Sequence, residues 1–351
     1  MSVIKRTDEW FFKTRSIKPK EGGISVGGGS RRRPALKRGS GLANLKAAAR
    51  RHPEVMVKIP RRHSAQSKGI AGVRNHLDYV SRNGEIELEN QHGEKLHGKQ
   101  AVRSQTETWR KMGFPENSKR REAVNIVLSM PAGTPPKAVL NAAREFAAEQ
   151  FDGHQYVFGL HHHSEREGEP PHPHVHLCVL LKNEDGRRLN PRKNDLFEWR
   201  VRFAEKLRDE GVQCAATRRQ HRGKAQKPEN GTVLAIRRRG GIPYTEQSQQ
   251  EAVAEAVRQR HRPSHPYLAD AAATRAQIAT RYAEITRALL REGLHEDAAL
   301  FSDFAREVAA RSFDTKAQQS YDRLIGPAAV RQPDPEQTRQ GSLKEDEGIG
   351  R

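Results

Sequence analysis

Pro171-His172-Pro173-His174-Val175-His176-Leu177-Cys178-Val179-Leu180-Leu181 reads as a half-polar strand, and the fold follows from it. Side chains alternate sides along a strand. His174 and His176 therefore face one way, while Val175, Leu177 and Val179 face the other. Two imidazoles at i and i+2 on a rigid strand are placed to bind one metal ion. Upstream, a second apolar run, Tyr156-Val157-Phe158-Gly159-Leu160, ends in His161-His162-His163. Pairing of these two strands brings a third imidazole to the site. The polar turn Ser164-Glu165-Arg166-Glu167-Gly168-Glu169 joins them.

Working outward, Val124 to Met130 is a strong strand closed by Pro131-Ala132-Gly133-Thr134, and Pro135 to Gln150 reads as a helix. Asn194-Asp195 are placed to cap a helix containing Leu196, Trp199, Phe203 and Leu207. Toward the N-terminus, Val55-Met56-Val57-Lys58-Ile59 is a short strand, and a helix is expected from about Ser67 to Arg82. Its apolar residues Ile70, Val73, Leu77 and Val80 form one narrow face. Tyr79 lies on the opposite side, with Lys68, Asn75 and Arg82 within roughly 60° of it on the helical wheel. Asn83-Gly84 ends the helix, and Ile86 and Leu88 suggest a further strand or hairpin. The order strand, helix, strand, strand, helix, strand, strand, helix predicts an α+β domain with a mostly antiparallel central sheet flanked by helices. Trp109 and Trp199 are expected in its core.

The flanks differ in composition. Residues 1–50 read as a basic, flexible, disordered arm that meets phosphates, with eleven Lys or Arg against three acids in the first 40. The α+β domain spans 51–230 and a basic linker 231–245. Residues 246–326 form a C-terminal helical region, in which Ile278, Tyr282, Ile285, Leu289 and then Phe301, Phe304, Val308 keep helical rhythm. Residues 327–351 are expected to be a disordered tail.

The 351 residues hold 63 Lys and Arg against 43 Asp and Glu, a formal charge of +20. That excess favours a polyanion, with nucleic acid the leading candidate. Cys178 and Cys214 alone make neither a disulfide framework nor a cysteine-rich zinc site. No apolar run approaches a membrane span and no secretory signal is evident, so a cytoplasmic protein is expected.

A histidine cluster and a solvent-facing tyrosine among basic groups share one explanation. Three imidazoles leave open positions on a divalent metal, which acts as a Lewis acid on a phosphoryl oxygen. A tyrosine hydroxyl, ordinarily a weak nucleophile, is helped by nearby cations. Together they support transesterification: Tyr79 attacks a DNA phosphodiester, giving a phosphotyrosine and a free 3′-hydroxyl.

His174-Val175-His176 resembles the His-hydrophobe-His signature of HUH endonucleases. The run Asn75-His76-Leu77-Asp78-Tyr79-Val80-Ser81-Arg82-Asn83-Gly84 resembles the nucleophile motif of conjugative and mobilisation relaxases, in the branch containing the T-DNA border endonuclease. Val127-Leu128-Ser129-Met130-Pro131-Ala132-Gly133-Thr134 is similar to that branch's middle motif, and Tyr156 through Leu181 to its metal motif. The resemblance covers roughly residues 55–230. It implies an HUH fold and a relaxase that nicks one strand at an origin of transfer with Mg²⁺ or Mn²⁺. It further implies a 5′ end joined to Tyr79, and accessory relaxosome proteins, a type IV coupling protein and a secretion channel as partners that take the piloted strand to a recipient cell. Alignment from Tyr156 favours His161 as third ligand beside His174 and His176; His163, on the same strand face, is the alternative. Expected DNA contacts are Lys68, Asn75, Arg82, Arg61 and Arg62, and Glu122 is expected to orient a histidine.

This sequence departs from the family in its long acidic Ser164–Pro171 segment, and His163 stands where an Asp is usual. Three imidazoles without a carboxylate suit Zn²⁺ or Mn²⁺ as well as Mg²⁺. Other HUH enzymes, rolling-circle replication initiators and single-strand transposases, share the residue types, but many place the tyrosine after the histidine pair. Here it precedes the pair by about a hundred residues. A non-catalytic basic DNA-binding protein is the remaining alternative.

Overall fold

The structure is a computed structural model that describes residues 2–13, 36–60, 69–162, 172–224 and 229–326. Arg61, Arg62, Lys68, His163 and the expected tail 327–351 lie outside the described residues. In chain order the first elements are α1 (Val3–Phe12), α2 (Ser40–Ala49), β1 (Met56–Lys58), α3 (Ile70–Val80), β2 (Leu88–Asn90), β3 (Lys95–Leu96) and α4 (Gly98–Lys111). They continue with β4 (Ala123–Ser129), α5 (Pro136–Gln150), β5 (Tyr156–His161), β6 (His174–Leu180) and α6 (Lys193–Asp209). Helices α7 (Gly231–Arg238), α8 (Tyr244–Arg258), α9 (Leu268–Arg291), α10 (His295–Ala310) and α11 (Lys316–Ile325) follow.

The strands make one antiparallel sheet in the order β1-β4-β6-β5-β2-β3. Its two histidine-bearing strands pair as the sequence predicts, with His161 opposite His174 and Gly159 opposite His176. Helices cover both faces. On one, Ile70, Val73, Leu77 and Val80 of α3 join Val102 and Trp109 of α4 over Val157, Cys178 and Leu180. Each such aliphatic side chain contributes about 1.5–3 kcal/mol on burial. On the other, α5 packs on β6 and α6, and the Arg144 guanidinium lies 6.0 Å from the Phe158 ring centre. Along β6 the α3-facing side is thus apolar at Cys178 and Leu180 and turns to imidazole at His176 and His174.

Four expectations are corrected. The stretch 1–50 is not without structure: α1 buries Val3, Thr7 and Phe11, and α2 is an Ala-rich helix. The Asp8 carboxylate ties them together, accepting the Gly39 and Gly41 N–H groups at 2.8 Å each. Secondly, α4 was not expected, because its buried side is partly polar: Gln105 and Thr106 accompany Val102 and Trp109. Thirdly, α6 starts at Lys193, so Asp195 sits inside its first turn, accepting the Arg192 N–H at 2.7 Å. Fourthly, the stretch 231–245 contains α7 instead of reading as a plain linker.

The chain divides into two compact units, neither of them a continuous stretch: residues 1–222 with 281–305, and 223–280 with the described residues from 306 onward. In the first unit, Tyr282, Ile285, Leu289, Phe301 and Phe304 are buried, as their rhythm predicts. In the second, α8 packs on α11, and Arg262 bonds Asp314 and Asp322 at 2.7 Å each. No helix among the described residues is long and apolar enough to cross a membrane.

Candidate active site

Two strands and one helix end build the site. His174 and His176 leave β6 on one face, and His161 enters the same face from the end of β5. Their ring centres lie 4.8–5.2 Å apart, and one ligand atom from each falls within 4.8 Å of the others. All three rings are buried. Gly159 lets α3 and β2 close over β5 beside them, since a Cβ there would meet Leu88 Cδ2 at 2.5 Å and Val80 Cγ1 at 3.6 Å.

Backbone carbonyls fix two of the rings. A carbonyl can only accept, so the ring nitrogen facing it carries the proton. His161 Nε2 donates to the Val80 carbonyl at 2.7 Å, satisfying one of the carbonyls that a helix C-terminus leaves unpaired. His174 Nδ1 donates to the His172 carbonyl at 2.9 Å. Each ring then keeps its other nitrogen as a lone-pair donor, the arrangement usual for histidines that bind metals. His176 Nδ1 is buried with no hydrogen-bond partner among the described residues. Burial, followed by the charges of His161, His174, His76 and Lys58, pushes the His176 imidazole down to about 3. A ring that resists protonation but has an orphaned nitrogen fits a metal ligand. The donor set therefore fits a divalent ion, and three ligands leave positions open for a substrate oxygen.

Tyr79 stands at the rim. It is 61% exposed, and its ring meets His176 edge-on, with centres 6.0 Å apart at 89°. The helix makes this placement: Leu77 and Val80 are buried against the sheet, which turns Tyr79 outward, while the Val80 carbonyl holds His161. After α3 the chain reverses through Arg82 (φ 48°), Asn83 (φ 59°) and Gly84 (φ 98°). A Cβ at Gly84 would lie 2.2 Å from the Lys99 nitrogen, so the turn requires glycine.

The structure brings Tyr79, His161, His174 and His176 together. Asn75 is exposed one turn before Tyr79, and Arg82 is half-buried in the following turn. Glu122 does not meet the triad. Its register is with the Leu180 end of β6, where the carboxylate accepts from Ser118 Oγ at 2.8 Å and Arg188 Nη1 at 3.3 Å, so the expectation of an orienting acid is corrected. Sequence reasoning missed His76. Its ring stacks beside Tyr79 at 6.3 Å and lies 6.4 Å from His176. The i, i+3 spacing to Tyr79 was the available signal.

Residues 79–212 match the relaxase family described as MobA/VirD2-like, nuclease domain. Among characterised proteins, the chain is 29% identical over 181 residues to the T-DNA border endonuclease VirD2 of Rhizobium radiobacter, covering 46% of this chain and 42% of that one. It is 28% identical over 183 residues to VirD2 of Agrobacterium fabrum, covering 46% and 39%. VirD2 of Rhizobium rhizogenes is likewise 28% identical over 183 residues, covering 46% and 40%. The match thus spans about two fifths of the length of these relatives. No solved structure matches the chain significantly. With the antiparallel sheet and the histidine face described above, these matches support a likeness of residues 79–212 to the nuclease domain of MobA/VirD2-like relaxases.

Proposed function

We propose that this protein is a relaxase that nicks one DNA strand at the origin of transfer of a plasmid or integrative element. Tyr79 is its nucleophile, and His161, His174 and His176 are its metal ligands. The Tyr79 oxygen bonds to the scissile phosphorus as the bond from phosphorus to the 3′-oxygen breaks. The tyrosine loses its proton to solvent, and the departing 3′-oxygen takes one up to become a free hydroxyl. The 5′ end is left joined to Tyr79, and the reverse reaction rejoins the strand. A divalent ion, Mg²⁺ or Mn²⁺ with Zn²⁺ also suited to the ligands, supplies Lewis-acid polarisation of a phosphoryl oxygen when bound. The chain's own residues do the rest: the triad and α3 hold Tyr79 beside the phosphate position, and cations around it, Arg82 among them, balance the phosphate charge.

The observation that carries this reading is the exposed Tyr79 ring at 6.0 Å from His176 in a buried three-imidazole cluster. A merely DNA-binding protein has no use for that juxtaposition. Release of the joined strand into a secretion channel, through accessory relaxosome proteins and a coupling protein, extends the same reading. Incubation with labelled single-stranded transfer-origin DNA and Mg²⁺ or Mn²⁺ tests it. A covalent adduct should form and be lost in Tyr79→Phe, by about 10³-fold or more. Nicking that survives the substitution contradicts the assigned nucleophile.

A further inference from the structure

The site has two sides, and only one holds the nucleophile. Helix α3 closes over β5: Val80 is packed near Gly159, and Tyr79 is its neighbour in the last turn of that helix. On the other side of β6 come β4 and then the edge strand β1. Directly paired residues of an antiparallel sheet share a face. One row therefore runs Met56, Ser129, His174, His161, and the next Lys58, Val127, His176, Gly159. Met56 and Lys58 thus lie on the histidine face, two strands from β6 and about 10 Å away at the usual strand spacing. Both are exposed, Met56 at 50%. Lys58 has no acidic partner among the described residues, and its charge is among those felt at both His176 and His172.

We infer that Lys58 and Met56 form a subsite for the DNA segment that ends in the 3′-hydroxyl, with Lys58 on a backbone phosphate and Met56 against a base or sugar. This rests on the nicking reading above. In a phosphoryl displacement the attacking and leaving oxygens lie roughly in line on opposite sides of phosphorus. Tyr79 attacks from the α3 side, so the leaving 3′-oxygen points toward β4 and β1. The nucleotides 5′ of the nick then cross the rim of the sheet at β1, where an ammonium and a flexible thioether are exposed. The ammonium matches a phosphate as a point charge, and the thioether offers an adaptable apolar contact without base specificity. The segment joined to Tyr79 leaves on the opposite side. The released 3′ end is thereby kept in reach for rejoining.

The test uses the strand that the full-length protein cleaves, divided at the nick into a 5′-side oligonucleotide ending in a 3′-hydroxyl and a 3′-side oligonucleotide. Binding of each is followed by fluorescence anisotropy across a salt series, with Tyr79→Phe as the parent. Adding Lys58→Ala should weaken binding of the 5′-side piece by roughly three- to tenfold and reduce its salt slope by about 0.7, the loss of one single-strand phosphate contact. The 3′-side piece should bind as before. Adding Lys58→Arg should restore both quantities. In the protein with Tyr79 intact, Lys58→Ala should slow rejoining more than adduct formation. Unchanged binding of the 5′-side piece, or equal loss for both pieces, overturns the subsite while adduct formation by the unsubstituted protein upholds the nicking reading. Failure of the unsubstituted protein to form any adduct removes both.

Discussion

His176 and His221 are both buried, and both imidazoles are pushed down to about 3, with burial the leading cause in each. Their surroundings differ in kind. His176 is flanked by two imidazoles whose outer nitrogens are tied to carbonyls, leaving lone pairs turned toward a shared centre. His221 stacks on Phe11 at 4.8 Å and lies edge-on to Trp10 at 5.1 Å, while its Nδ1 accepts the Arg218 N–H at 3.3 Å. Its charged neighbours are Arg218, Arg222 and Arg200. The Tyr282 hydroxyl donates to the His221 carbonyl, so the residue joins elements within its unit. Low basicity records burial at both places. Converging donor atoms are found at the first alone, and they separate a candidate ligand from a core histidine.

Substitution should separate the two most strongly in metal uptake. His176→Ala should weaken Mn²⁺ binding, followed by calorimetric titration, by more than about 100-fold, since loss of supporting groups alone costs 10–100-fold. His221→Phe should leave Mn²⁺ affinity within about twofold of the parent. Similar losses in both would mean that burial alone governs binding, and the comparison would fail.

Acid should expose the cost of His221. Its folded value lies below the ordinary value near 6.5, so between the two the unfolded chain binds the extra proton, and stability falls as pH drops. From pH 6.5 to 5.0 this group alone should cost about 1.5 kcal/mol. Denaturant melts of the parent should therefore lose about that much more than those of His221→Phe over the same interval. Parallel pH profiles would show that His221 protonates as readily folded as unfolded. The smallest effect is expected at Glu122. Glu122→Gln should change the nicking rate by no more than about twofold, because the carboxylate lies at the far end of β6 from the triad. A tenfold loss would restore it as an orienting group.

What the sequence revealed, and what it hid, has a physical pattern. Alternation in β6 and the apolar stripe of α3 fix which way a side chain points, so His174, His176 and Tyr79 were legible. His161 is legible from the pairing of its strand with β6. Helix α4 was hidden because Gln105 and Thr106 replace apolar residues on its buried side. Helices α1 and α2 were hidden by the basic, glycine-rich run between them, which dominates composition but says nothing about Phe11 or the Asp8 contacts. Tertiary placement was the least readable. No local pattern announces that Tyr282 meets His221, that Glu122 faces Arg188, or that Lys58 shares a sheet row with His176.

The central claim is that one site unites Tyr79 with the triad. Peptide mapping of the purified DNA adduct by mass spectrometry tests it most directly. A nucleotide mass should appear on the peptide containing Tyr79 and be absent when His174 and His176 are both replaced by Ala. A nucleotide on any of the other five tyrosines, or an undiminished Tyr79 adduct without those histidines, would contradict it.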